Sequence, residues 1–201
     1  MTGRARISRF IPVLVALALL LTAHGLDGWA GSALRLPSAN DRDWGRLLRI
    51  LGYAPTWLVI AALCWLQSRA GTDRPEIASD LAQTGRAVLV AVAVGGILAE
   101  VAKLLIRRER PDGDFASYHF RDFASAPWST KNLGIPSSHT MVAFAGAAAL
   151  GRRFPRTAPV LLALAAGCGL TRIFAQAHFL SDVVAGAVGG GAVGWWAGRR
   201  G

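Results

Sequence analysis

Apolar residues along the chain are bunched into six long runs separated by polar stretches. This blockwise pattern predicts membrane-spanning helices rather than the one-sided faces of a soluble domain. The runs cover residues 10–23, 53–66, 86–106, 139–151, 157–171 and 178–197, with boundaries good to several residues because some fall short of a full crossing. Between the first two, residues 41–51 carry Trp44, Leu47, Leu48 and Leu51 at helical spacing, which predicts an amphipathic helix lying in the interface. Residues 107–138 form the longest polar segment. The basic start (Arg4, Arg6, Arg9) also fits a signal peptide, but no small-x-small cleavage site follows directly, so a retained first span is expected. With no self-similar period, the expected fold is all-α. It is a polytopic membrane helix bundle of about six transmembrane helices in a single domain over 1–201. The motif-bearing core is 86–197, and the N-terminal spans and interfacial helix occupy 10–66.

Composition agrees: of 201 residues 53% are hydrophobic and 17% charged, and mean hydropathy is +0.38. The net charge of +10 raises nucleic acid as a partner. The basic residues sit at the ends of apolar runs and not in stripes interleaved with aromatics, so anionic head groups or phosphates are the expected partners. Abundant Gly and Ala suit close helix packing in a bilayer. Cys64 and Cys168 read as small apolar fillers far apart, while Trp57, Trp65, Trp195 and Trp196 near run ends suit interfacial anchoring. Alternation of six spans brings the Arg4/Arg6/Arg9 start, the Arg152/Arg153/Arg156 turn and Arg199/Arg200 to one face. The positive-inside rule makes that face cytoplasmic and leaves 107–138 on the outer side.

The same alternation brings four other ends together. Lys103 and Arg110 close the third span, Ser137, Ser138 and His139 open the fourth, Arg172 closes the fifth, and His178 and Asp182 open the sixth. Singly, each has a plain explanation: snorkelling cations, a helix N-cap in Pro136-Ser137-Ser138-His139, an interfacial histidine, a cation at a helix C-terminus. Glu100, three before Lys103, reads as an intrahelical salt-bridge partner. On a helix, His178 and Asp182 would share one face. Jointly, three cations, two hydroxyls and a helix N-terminus can hold a dianionic phosphate. Two histidines can then divide attack on phosphorus from protonation of the departing oxygen. Asp112, Asp114 and Asp122 read as solvated loop carboxylates, not a metal site.

In these residues the chain resembles the type 2 phosphatidic acid phosphatases, or lipid phosphate phosphatases, whose superfamily includes vanadium haloperoxidases and glucose-6-phosphatase. The family's Lys-x6-Arg-Pro motif stands here as Lys103-LLIRRE-Arg110-Pro111, and its Pro-Ser-Gly-His as Pro136-Ser137-Ser138-His139. Its Ser-Arg-x5-His-x3-Asp stands as Thr171-Arg172-IFAQA-His178-FLS-Asp182. The resemblance spans 103–182. Ser138 replaces Gly, which is harmless and adds a donor if the position is the first helical turn; Thr171 keeps the hydroxyl of Ser.

The resemblance implies a metal-independent lipid phosphatase without a cofactor, acting through a phosphohistidine. His178 would attack, Asp182 would fix its tautomer, and His139 would be the general acid. Lys103, Arg110, Ser137, Ser138 and Arg172 would cradle the phosphate. It implies a lipid phosphate substrate: phosphatidic acid, phosphatidylglycerol phosphate, a polyprenyl (undecaprenyl) diphosphate or a lipid A phosphate. A lipid phosphotransferase on the same residues, or a non-catalytic scaffold or transporter, are the competing classes. The small Arg/Ala/Gly-rich chain points to a bacterial cytoplasmic (inner) membrane, with the site facing the periplasm. Phe115, Tyr118, Phe120, Phe123 and Trp128 of the long loop are either a head-group lid or an interfacial aromatic belt.

Overall fold

The computed structural model describes residues 3–70 and 74–199, with the backbone alone for 3–9. Asp73 and Arg200 lie outside the described residues, as do the side chains of Arg4, Arg6 and Arg9. Among the described residues eight α-helices follow in order: α1 (Gly3–Gly25), α2 (Asp27–Ala33), α3 (Asp43–Ile50), α4 (Ala54–Arg69), α5 (Pro75–Ile106), α6 (Ser138–Arg153), α7 (Ala158–Phe174) and α8 (Leu180–Ala197). No strand occurs among the described residues; the long loop holds only two isolated bridges, Arg108 with Phe120 and Glu109 with Leu133.

The six apolar runs coincide with α1, α4, α5, α6, α7 and α8, and the interfacial segment with α3. Several of the boundaries differ from expectation: α1, for one, begins at Gly3, not at 10. α5 begins at Pro75, not at 86, because Pro sits at its first turn and Glu76, Ala78, Leu81, Ala82 and Gln83 that follow are good helix formers. α8 begins at Leu180, so His178 lies in the loop before it. α2 has no counterpart among the expected elements. By length and hydropathy, two segments suffice alone to cross a membrane: Pro75–Ile106 and Pro155–Phe174. The bent pairs Phe10–Gly25 with Asp27–Ala33 (57°) and Asp43–Ile50 with Ala54–Arg69 (61°) raise the number to four.

The packing is that of an integral membrane protein. Small residues fill much of the interior: Ala91, Ala143, Ala145, Ala147, Ala149, Ala165 and Cys168 are buried, with Trp57, Ile173 and Phe179 among the larger side chains beside them. Large apolar side chains such as Leu14, Leu63, Ile97 and Leu105 point outward. Lipid tails solvate such groups as well as a protein core would, so association rests on close backbone approach. α8 provides it with a four-residue stripe against α6. A Cβ at Gly186, Gly190, Gly194 or Gly198 would stand 2.7, 2.2, 2.2 and 2.8 Å from the carbonyl oxygens of Ser137, Met141, Ala145 and Ala149. Trp57 lies flat on Gly146, where a Cβ would meet its ring at 2.3 Å, and donates from its indole to the Leu51 carbonyl at 2.7 Å. At the end of the bundle away from the long loop, buried Arg153 pairs with Asp80 and reaches Thr84, tying α6 to the polar start of α5.

Gly190 and Gly191 are adjacent but face different surroundings, since a Cβ at Gly191 meets nothing within 4 Å. Gly190→Ala is expected to destabilise the detergent-solubilised protein by about 1–3 kcal/mol through overpacking. Gly191→Ala should be neutral, or stabilising by about 0.5–1 kcal/mol. Thermal unfolding of the two variants beside the parent checks this; equal shifts would refute the close-approach account of the α6–α8 contact.

Candidate active site

The antiparallel order of α5 to α8 brings the expected ends to one side of the bundle, where the long loop closes over them. The centre of this cluster is Asp182, fully buried in the first turn of α8. Its Oδ2 accepts from the Phe179 backbone N–H at 3.0 Å and faces the His178 Nδ1 at 3.3 Å. The extended backbone of Phe179 (φ −65°, ψ 155°) makes this possible by turning the chain into the helix while the carboxylate caps it. His178 and Asp182 therefore meet through a helix cap and not, as expected, on one face of a continuous helix. The contact leaves Nδ1 as the protonated nitrogen and Nε2 with the lone pair.

His178 is 1% exposed. Burial pushes its pKa down to about 4, further lowered by Arg110 and Arg172 and opposed by the hydrogen bond and charge of Asp182. The imidazole is therefore neutral near pH 7 and able to attack.

The remaining expected residues divide into two groups. Arg110, Arg172 and His139 carry buried nitrogens with no hydrogen-bond partner among the described residues: Nε of each arginine and Nε2 of the histidine. Buried polar groups are nearly always satisfied, so these nitrogens keep hydrogen-bonding capacity that an anion could use; Arg108 Nε is likewise unpartnered, although its guanidinium is held by Asp182. Lys103 and Ser138, by contrast, are engaged with each other and with Glu100. Lys103 Nζ lies 2.9 Å from Glu100 Oε1, Ser138 Oγ donates to the same oxygen at 2.6 Å, and Lys103 also contacts Ser138 Oγ. The expected Glu100–Lys103 pair is thus present, with Ser138 as a third member. Ser138 is the first residue of α6, so the replacement of Gly carries no positive φ there. Ser137 precedes it as the N-cap; its backbone N–H donates to the Asp182 carbonyl at 2.9 Å and its hydroxyl accepts from Thr140 at 3.1 Å.

A cavity of about 320 Å³ lined by Glu109, Arg110, Asp112, Asn132, Gln176 and Ala177 opens beside the cluster. A larger one, about 570 Å³, lies at the opposite end among Arg86, Arg153 and Arg199 and contains neither histidine. Among the described residues no three or more His, Cys, Asp or Glu side chains come together as a metal site.

Residues outside the expected set complete the surroundings. Arg108 makes a buried ion pair with Asp182 and donates to Ser181 Oγ at 2.8 Å. Asp27, buried at the bend between α1 and α2, accepts from Ser181 N at 2.7 Å and from the Ser181 and Tyr118 hydroxyls, the latter at 2.9 Å. The loop aromatics split: Phe115 and Tyr118 pack on Phe179, next to His178, at 5.4 and 4.9 Å between ring centroids. Phe120, Phe123 and Trp128 are exposed. Arg107 holds the loop together from inside, donating to the carbonyls of Arg121, Asp122, Ser125 and Pro127.

The lipid A 1-phosphatase of Rhizobium etli is 33% identical over 188 residues, covering 88% of this chain and 76% of that protein. The lipid A 1-phosphatase of Rhizobium johnstonii is 33% identical over 159 residues, 74% of this chain and 63% of its own length. The fold is similar to the crystal structure of a transmembrane PAP2-type phosphatidylglycerolphosphate phosphatase from Bacillus subtilis, with a TM-score of 0.64 at 19% identity over 94% of each chain. The profile of the PAP2 superfamily matches residues 84–199, which hold every motif residue of the cluster, and by that match this chain belongs to the PAP2 superfamily.

Proposed function

We propose that the protein is a membrane lipid phosphatase that releases phosphate through a phosphohistidine, without a metal. The observation that carries this reading is a buried, neutral His178 oriented by Asp182 within the same cluster as the unpartnered nitrogens of Arg110, Arg172 and His139.

In the first step the Nε2 lone pair of His178 attacks phosphorus and the bond to the leaving oxygen breaks. His139 supplies a proton to that oxygen, and the charge on the phosphoryl oxygens falls to Arg110, Arg172 and Lys103. Ser137 and the backbone at Ser138, at the N-terminus of α6, add donors and the positive end of the helix dipole. As attack proceeds, the imidazole becomes cationic and Asp182 stabilises it. In the second step water attacks the P–N bond, His139 takes its proton, and inorganic phosphate leaves with His178 restored.

The substrate class we propose is an amphiphile bearing a phosphate ester or diphosphate, because the cluster sits at a bundle end flanked by outward-facing apolar side chains. The names of the Rhizobium relatives support including lipid A 1-phosphate in the first panel assayed. The single domain is proposed to sit in a bacterial inner membrane with His178 toward the periplasm. Arg152, Arg153, Arg156 and Arg199, at the end of the bundle opposite the histidines, support that orientation.

His178→Ala is expected to lower phosphate release from the purified full chain by a factor of about 10³ or more. Retained activity in a variant that unfolds at the parent's temperature would sink the phosphohistidine reading. Vanadate, a mimic of pentavalent phosphorus, should inhibit, while EDTA should leave turnover unchanged; loss of activity in chelator alone would count against the metal-independent route.

A stability effect follows from His178 as well. Its folded pKa of about 4 lies below the ordinary histidine value, so the unfolded chain takes up the proton first as pH falls. Stability contributed by this site is thus constant above about pH 7 and declines between about pH 6.5 and 4. Unfolding temperatures at pH 7.5 and 5 should differ more in the parent than in His178→Gln, which has no proton to gain.

A further inference from the structure

Arg49 belongs to none of the motifs, yet it reaches the same cluster from α3. One face of that helix packs on α7, with Leu48 against Gly167 and the Trp44 ring edge-on to Phe174 at 6.3 Å. Arg49 is instead directed toward α6. Its guanidinium donates to the Tyr53 hydroxyl and lies 5.5 Å from the centre of that ring. The Tyr53 ring in turn meets His139 edge-on at 4.9 Å. Gly52, between them, backs directly onto His139: a Cβ there would stand 2.7 Å from the His139 Cβ. The Cys168 thiol marks the same convergence from behind, 3.9 Å from the Arg49 carbonyl and 4.0 Å from that of His139.

Among the described residues Arg49 has no carboxylate within ion-pair distance, whereas its neighbour Arg46 faces Asp43 at 3.9 Å. Its Nε is buried without a hydrogen-bond partner, like those of Arg110 and Arg172. Arg49 thus sits on the His139 side of the cluster through Tyr53 and Gly52, whereas Arg110 lines the cavity beside Gln176 and Ala177, next to His178. Three arginines gathered in a poorly solvated place repel one another until an anion enters. Lys103, Arg110 and Arg172 already match the transferred phosphoryl group; a further cation beside the general acid has its use where the leaving group is itself charged.

We propose that Arg49, held by Tyr53, forms a subsite for a second phosphate carried by the leaving group, so that the site is built for lipid diphosphates in preference to monophosphates. The inference rests on the reading above, in which His178 attacks and His139 faces the departing oxygen. Attack on the terminal phosphorus then breaks its bond to the bridging oxygen. The lipid monophosphate departs with a proton from His139 on that oxygen and with its charge against Arg49.

The test uses initial rates of phosphate release by the full-length protein from a polyprenyl diphosphate and the monophosphate of the same chain, with Arg49→Ala, Arg49→Lys and His178→Ala beside the parent. The ratio of kcat/KM for diphosphate over monophosphate is expected to fall by about tenfold or more in Arg49→Ala and to recover partly in Arg49→Lys. An unchanged ratio, equal loss on both substrates, or no turnover of diphosphate by the parent would overturn the subsite. Full activity in His178→Ala would instead overturn the phosphohistidine reading, while the ratio in the Arg49 variants would still report on the subsite.

Discussion

A carboxylate with no exposure to solvent is tolerated only where every part of it is held, and Asp182 is such a group. Its side chain takes the Phe179 N–H, the His178 ring and the Arg108 guanidinium, and its backbone carbonyl takes the N–H of Ser137. One residue thus fixes the start of α8, the orientation of the His178 imidazole and the position of the N-cap of α6. Arg108 is anchored in turn by Ser181, and Ser181 by Asp27, which also accepts from Tyr118. The bend between α1 and α2 and the long loop are thereby fastened to the same carboxylate. Removing any one member strands a buried charge or donor, and that penalty keeps the arrangement single.

The polar cluster depends on packing that contains no polar groups at all. Hydrogen bonds between α6 and α8 at their common end require the two backbones to approach closely along their whole length. The stripe Gly186, Gly190, Gly194, Gly198 supplies that approach, with Met141, Ala145 and Ala149 on the other side. The first member of the stripe lies against the Ser137 carbonyl, so the packing ladder and the active site share a rung. Burial of large side chains could not have done this in a bilayer, where Leu gains little by leaving lipid.

How much of this was readable beforehand follows from how local each feature is. The helical class and six long helices were legible because lipid forces contiguous apolar runs. Lys103, Arg110, Ser137, Ser138, His139, Arg172, His178 and Asp182 were legible because span alternation alone brings their ends together. The helical juxtaposition of His178 with Asp182 was misread, since a period-based argument cannot see that Phe179 stays extended and that Asp182 acts as a cap. Arg108 was hidden inside the variable stretch of a motif, and its partners lie more than seventy positions away. Asp27, Arg49 and Tyr53 were missed for a different reason. The alternation that grouped four span ends also brings the end of the first span and the start of the second to that face.

Ser138 shows how one substitution redistributes charge within such a site. A glycine there would leave Lys103 and Glu100 as a simple pair on α5, one turn apart. The serine hydroxyl instead bridges them to the first turn of α6, so the lysine is tied to the N-terminus of that helix. Glu100 offsets much of the lysine's charge, which leaves Arg110 and Arg172 as the less compensated cations and makes their unpartnered nitrogens the stronger attraction for an anion. Arginine suits that role better than lysine, because its planar fork can grip two oxygens of a phosphoryl group while its charge persists in a poorly solvated site. Through Ser138 the lysine also ties α5 to the first turn of α6, which carries His139.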